Sequence, residues 1–147
     1  MAQVRVVVRR EVAGAPEQIL ARLGDYQGAR ARSWPENVSE YRVTAGGTGP
    51  GSRISYRLQA TRSRVRTVDA TVSAPEPGTL VEADQNSSLR TSWQVTPGSA
   101  PQRSTVTATT TWDGAGGVGG FFERTFAPIG IRKLHTTVID RIAADAG

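Results

Sequence analysis

The chain is 147 residues long, with a formal net charge of +5, 37% hydrophobic and 21% charged residues. That length favours one domain over residues 1–147, burying roughly 68–70% of the surface that its unfolded chain exposes. The absence of cysteine excludes disulfides and thiolate chemistry and fits a reducing cytoplasm.

Sixteen Gly and eight Pro imply a turn-rich, strand-rich chain. The positive charge is almost wholly arginine, since Lys133 is the only lysine, and such a field can attract nucleic acid, acidic lipid or an anionic ligand. The opening MAQVRVVVRR has a short apolar run broken by Arg5, too short and too charged for a signal peptide or a membrane span. The expectation is a cytoplasmic protein without integral membrane association.

From Gln3 to Arg10, Val4, Val6 and Val8 alternate with Arg5, Val7 and Arg9, the period of a half-buried strand. Ala15 to Leu23 then reads as a short helix, with Pro16 and Glu17 in its first turn and Ile19, Leu20 and Leu23 at helical spacing. A second short helix is expected over Gln27 to Arg32, closed by Trp34 and Pro35. Val38 to Thr44 alternates weakly and leads through AGGTGPGS to a strand with Ile54, Tyr56 and Leu58 on one face. Further strands follow over Arg62 to Ser73, Leu80 to Gln85, Leu89 to Val95 and Thr105 to Trp112, the last β-branched almost throughout. Seven strands at hairpin spacing predict an antiparallel sheet.

Asp113 to the end reads as a glycine hinge feeding one long helix. Phe122 and Phe126 form one apolar stripe and Ala127, Ile131, Leu134, Val138 and Ile142 another, turned by about 180° at 100° per residue. Pro128 lies between them and has no amide to bond the Arg124 carbonyl, so a kink is expected there.

This order of elements resembles the START-like (SRPBCC) superfamily, in its polyketide cyclase/dehydrase-like branch. The resemblance rests on Ala15-Pro16-Glu17, Asp25-Tyr26, Trp34-Pro35, the turn Gly49-Pro50-Gly51-Ser52-Arg53, and a closing stretch with Phe121-Phe122-Glu123-Arg124, Pro128, Arg132 and Leu134. None of these is a catalytic signature. The resemblance implies an α+β helix-grip fold: a curved seven-stranded antiparallel sheet wrapped around a long, kinked C-terminal helix, with two short helices after the first strand. It also implies an internal cavity for an apolar ligand. Such a bent sheet leaves a gap that is either packed by aromatics or occupied by a guest.

Gly114-Ala115-Gly116-Gly117-Val118-Gly119 fits G-x-G-x-x-G, follows a strand and opens a helix. A dinucleotide site needs a further strand after that helix, and none is predicted. His135 is the only histidine and no carboxylates cluster, so neither a metal site nor a cofactor is expected. His135 is either a helix-flank residue facing water or capping the core, or an acid–base group on the helix that lines the cavity. Arg53, Arg57, Arg62 and Arg64 read as a solvated outer sheet surface, because aromatics are not interleaved with them as nucleic-acid binding would want. Arg66 shares parity with Val68, Ala70 and Val72, so it is edge-exposed or an inward cation able to hold a carboxylate or enolate.

Tyr56, Trp93 and Trp112 fall on apolar strand faces and point inward, as core or as pocket wall. Trp34 and Tyr41 are placed at the pocket mouth by the resemblance, and Phe122, Phe126 and Leu134 complete the expected ligand-binding set. The leading functional expectation is binding of a small hydrophobic molecule such as a polyketide, lipid or aromatic metabolite. A cyclase/dehydrase-type enzyme using His135 and Arg66 is the alternative, and a module gripping an apolar peptide the third.

Overall fold

A computed structural model describes residues 3–61, 64–113 and 128–145. The alternating stretches form β1 (Gln3–Ala13), β2 (Val38–Ala45), β3 (Arg53–Thr61), β4 (Arg64–Ser73), β5 (Thr79–Asp84), β6 (Arg90–Pro97) and β7 (Arg103–Asp113). They pair in the order β1-β7-β6-β5-β4-β3-β2, every neighbour antiparallel. This is the expected helix-grip architecture. β7 shows its cause most plainly: Ser104, Val106, Ala108, Thr110 and Trp112 are all buried while the intervening residues are half-buried. β1 runs past its expected end at Arg10 to Ala13, because Val12 continues the buried face of Val6 and Val8.

The chain crosses from β1 at one edge to β2 at the other through residues 14–37. Helix α1 (Pro16–Leu23) begins that crossing and buries Ile19 and Leu23. The expected second helix is instead a run of turns over residues 26–32, with the Arg30 amide bonded five residues back to the Asp25 carbonyl. Asp25 explains the difference. Its carboxylate accepts from the Ala29 amide, and a Cβ at Gly28 would stand 2.2 Å from Asp25 Oδ2, so the chain turns tightly around that side chain instead of extending as a helix. On β2, Glu40 takes φ 51° where the pairing with β3 slips, a bulge that bends this edge of the sheet.

Helix α2 (Pro128–Ala144) lies on the inner face against β1, β7 and α1. Pro128 is its first residue, where a missing amide costs nothing. The expected kink, the glycine hinge and the G-x-G-x-x-G stretch involve residues 114–127 and lie outside the described residues, as do Phe122 and Phe126. Ile131, Leu134, His135, Val138, Ile139 and Ile142 make one buried stripe at helical spacing.

Arginines fasten this helix. Arg10 pairs with Asp140 at 3.1 Å, Arg132 donates to the Val7 carbonyl at 2.9 Å, and Arg22 donates to the Ile142 carbonyl at 3.2 Å, complementing the negative end of the helix. Arg141 reaches the Trp34 carbonyl and Arg32 the Asp145 carboxylate. Much of the arginine excess is therefore used to hold the grip. On the outer sheet face, Arg53 pairs with Asp69 at 2.8 Å and Arg57 with Glu40 at 2.9 Å. Arg62 and the side chain of Arg64 lie outside the described residues. Among the described residues no helix is long and apolar enough to cross a membrane.

Candidate functional site

Beneath α2, the inner sheet face carries polar residues that an ordinary core would avoid. β5 turns Glu82 inward because it shares parity with Leu80, and the turns after α1 place Arg30 opposite it. Arg30 Nη1 and Nη2 donate to Glu82 at 2.5 and 3.2 Å, and the Tyr26 hydroxyl adds a third bond to the same carboxylate at 2.8 Å. The two charged side chains are only 1% and 6% exposed. The guanidinium also lies 4.5 Å from the Trp34 ring centre and 4.7 Å from that of Trp93.

Burial alone would raise the Glu82 pKa, but the Arg30 charge and the bonds from Arg30 and Tyr26 outweigh it and hold the carboxyl below its usual range. Burial likewise opposes the Arg30 charge, and Glu82 outweighs it. The Trp93 indole lies close enough to favour the ionised Glu82 further, yet its Nε1–H makes no bond of normal geometry.

A second group sits beside the first. Thr91 on β6 and Thr110 on β7 face each other across the ladder with hydroxyls 2.8 Å apart, and Thr110 Oγ1 contacts His135 Nε2. His135 is 3% exposed, its ring edge-on to Trp93 at 5.1 Å. Burial, with the nearby Arg30 charge assisting, lowers its pKa from 6.5 to about 4, so the imidazole is neutral at pH 7. Its Nδ1 is buried without a hydrogen-bond partner, as is Arg30 Nε, while the buried Trp34 Nε1–H lies near the Tyr41 hydroxyl without a bond of normal geometry.

All of these side chains except Tyr26 surround a residual cavity together with Tyr56, Leu89, Ile131, Leu134 and Val138. Its volume is about 10 Å³, room for about one water molecule. The expected drug-sized space is therefore closed among the described residues: Arg30, sandwiched between Trp34 and Trp93, fills it. A larger concavity of about 620 Å³ lies outside the grip, between α1 and the turns Thr48–Pro50 and Ala74–Gly78. Its lining is mostly apolar and its charged groups are Glu17 and Glu76. Size favours that groove, but convergent polar groups with displaced pKa values favour the interior, and the interior is the stronger candidate.

Of the sequence candidates, Trp34, Tyr56, Trp93, Leu134 and His135 meet at this cavity. Tyr41 stands behind Trp34, ring centres 5.5 Å apart, and donates its hydroxyl to the Tyr26 carbonyl at 2.5 Å; burial pushes its pKa up to about 12. Trp112 is fully buried on the same sheet face but does not border the cavity. Arg66 is half-buried opposite Leu58 on β3, away from it. His135 faces the interior, not water. Arg30, Tyr26, Glu82, Thr91 and Thr110 were missed. The parity of Glu82 with Leu80 and of Thr110 with Trp112 was the available signal for two of them.

A family model described as polyketide cyclase/dehydrase and lipid transport matches residues 3–147. The chain belongs to that family. The solution structure of the KanY protein is similar over 98% of this chain and 97% of that one, at 43% identity and a TM-score of 0.86. A START superfamily protein from Mycobacterium smegmatis is similar over 94% and 96% of the two chains, with a TM-score of 0.70 at 14% identity. The ginseng major latex-like protein 151 from Panax ginseng covers 97% and 96%, with a TM-score of 0.69 at 11% identity; these two show the fold alone. Human receptor-type tyrosine-protein phosphatase H is 35% identical over 92 residues, 59% of this chain, and the chain spans 8% of that protein's length. Family membership supports a hydrophobic-ligand-binding domain, and the fold is of START-like type.

Proposed function

We propose that residues 1–147 act as one START-like module that binds a small, largely apolar molecule, such as a polyketide, lipid or aromatic metabolite, between α2 and the inner sheet face. The observation that carries this reading is the pair of buried polar atoms without partners, Arg30 Nε and His135 Nδ1, on side chains that border one aromatic-walled cavity. An orphaned buried donor costs about 1–3 kcal/mol. A ligand with one or two polar atoms on an apolar body relieves that cost while burying its own surface.

With the space filled among the described residues, binding moves Trp34 from its place against Arg30, Tyr41 and Tyr56, where its ring centre is 4.6 Å from that of Tyr56. Trp34 is the one partly exposed side chain among the described residues that line the cavity. Native mass spectrometry of the gently purified protein, followed by tryptophan-fluorescence titration with apolar aromatics, tests this reading. A bound guest or saturable quenching is expected, and neither guest nor quenching would contradict it.

The enzymatic alternative is favoured by one feature, the chain Thr91–Thr110–His135, which ends on a neutral imidazole able to accept a proton. Unchanged turnover in His135→Ala, with a polyketone substrate, would remove it.

A further inference from the structure

We propose, resting on the reading above, that this interior selects uncharged ligands bearing a hydroxyl or carbonyl and discriminates against the corresponding carboxylates. Arg30 looks like the natural hook for an anion, since it is the cation that borders the cavity among the described residues. Its charge is already matched. Both terminal nitrogens are engaged by Glu82, and aromatic rings stand over the guanidinium. A ligand carboxylate placed here would bring a second negative charge next to Glu82. The donors of Arg30 left over, its Nε–H and the second hydrogen on each terminal nitrogen, belong to a cation whose charge Glu82 already neutralises, and a buried charge without a countercharge is the costliest group an interior can hold. Arg66 borders no part of this cavity.

A neutral oxygen is treated differently. Thr91 and Thr110 have rotatable hydroxyl hydrogens, so the chain Thr91–Thr110–His135 can run in either direction. When Thr110 donates to His135 Nε2, the ring proton sits on Nδ1 and the unpartnered atom offers a donor to a ligand carbonyl. When Nε2 donates to Thr110, Nδ1 is bare and accepts from a ligand hydroxyl. One side-chain chain thus serves both neutral oxygen types and does so without adding charge. It offers a carboxylate nothing that Glu82 does not already oppose.

The test uses matched probes at pH 7.5, 2-naphthol against 2-naphthoate and 1-decanol against decanoate, with dissociation constants from calorimetry. The neutral member should bind at least about tenfold tighter, equivalent to about 1.4 kcal/mol. Equal or tighter carboxylate binding in both pairs overturns the inference while leaving the ligand-binding reading intact; binding of neither member overturns both. Any apolar pocket shows some preference for the neutral member, so Glu82→Gln decides the cause. It leaves the Arg30 charge unmatched and should raise carboxylate affinity at least about tenfold, whereas a folded variant with unchanged carboxylate affinity refutes the assignment. Should that variant not fold, Thr110→Val decides instead. Severalfold weaker binding of the neutral probe alone supports the inference, and equal losses for both probes contradict it.

Discussion

Two polar groups lie side by side under the gripping helix, and they are finished to different degrees. Around Glu82 the charges are matched: two guanidinium nitrogens and a tyrosine hydroxyl converge on one carboxylate, with rings over the cation, and Arg30 Nε is left over. Around His135 the chain of hydrogen bonds runs from Thr91 through Thr110 to Nε2 and then stops at an unpartnered Nδ1. The first group is closed in charge and ties the turns after α1 to β5. The second is open at one end, and an open end in a packed interior is where a ligand has something to gain.

Breaking the closed group should produce the largest effect. Glu82→Ala strands Arg30 inside the protein and is expected to cost about 3–5 kcal/mol of unfolding free energy, measured by urea denaturation. A loss below about 1 kcal/mol would mean that the carboxylate is not the partner that keeps Arg30 buried.

The open group should speak through pH. His135 titrates near 4 in the fold against 6.5 ordinarily, so the unfolded chain binds its proton more readily than the native state does. Its contribution is fully present above pH 6.5 and is lost as pH falls towards 4, an effect on the order of 3 kcal/mol from the shift. The Glu82 pKa is lowered, so its contribution, present above the ordinary carboxylate value, is lost only as pH falls further. Denaturation midpoints measured across this range should slope in wild type and flatten between pH 6.5 and 4 in His135→Gln, which can still reach Thr110. A slope unchanged in that variant would assign the titration to another group.

Smaller effects separate the links of the chain. Thr110→Val leaves both Thr91 and His135 Nε2 without their shared partner and should cost about 1–3 kcal/mol, while Thr91→Val removes only the outer link and should cost about 0.5–1.5 kcal/mol. Equal costs would argue against a directional chain. At the bottom of the scale, Arg53→Ala breaks a pair whose arginine and aspartate are 46% and 29% exposed. A change of about 0–1 kcal/mol is expected, for contrast with the same ion-pair chemistry when buried.

How much of this was legible beforehand follows from the period of the residues. β7 and β1 announced themselves through strict alternation, and the inward aromatics Tyr56 and Trp93 followed from their parity. The same parity put Glu82 beside Leu80 on the inner face, but a glutamate in a strand reads as solvent-facing unless its cation is known. That cation, Arg30, lies 52 positions earlier in a run of turns with no period to follow. The second helix failed for a related reason: local propensity over Gln27 to Arg32 gave way to one side chain, Asp25, that captured the backbone around it. Trp34 was placed by family resemblance, and its contact with Arg30 depends on chain crossing that no local pattern records.

The account rests on the ligand entering the grip and not the larger groove outside it, and a single titration addresses that most directly. The chain has three tryptophans, so the indole N–H region of a nitrogen–proton NMR spectrum holds three side-chain signals that can be followed while 2-naphthol is added. The account predicts large shifts of the Trp34 and Trp93 indole signals together with the His135 ring. Saturable shifts confined to backbone amides of Leu20, Gly49 and Leu80, with both indoles unmoved, would contradict it and move the site to the outer groove.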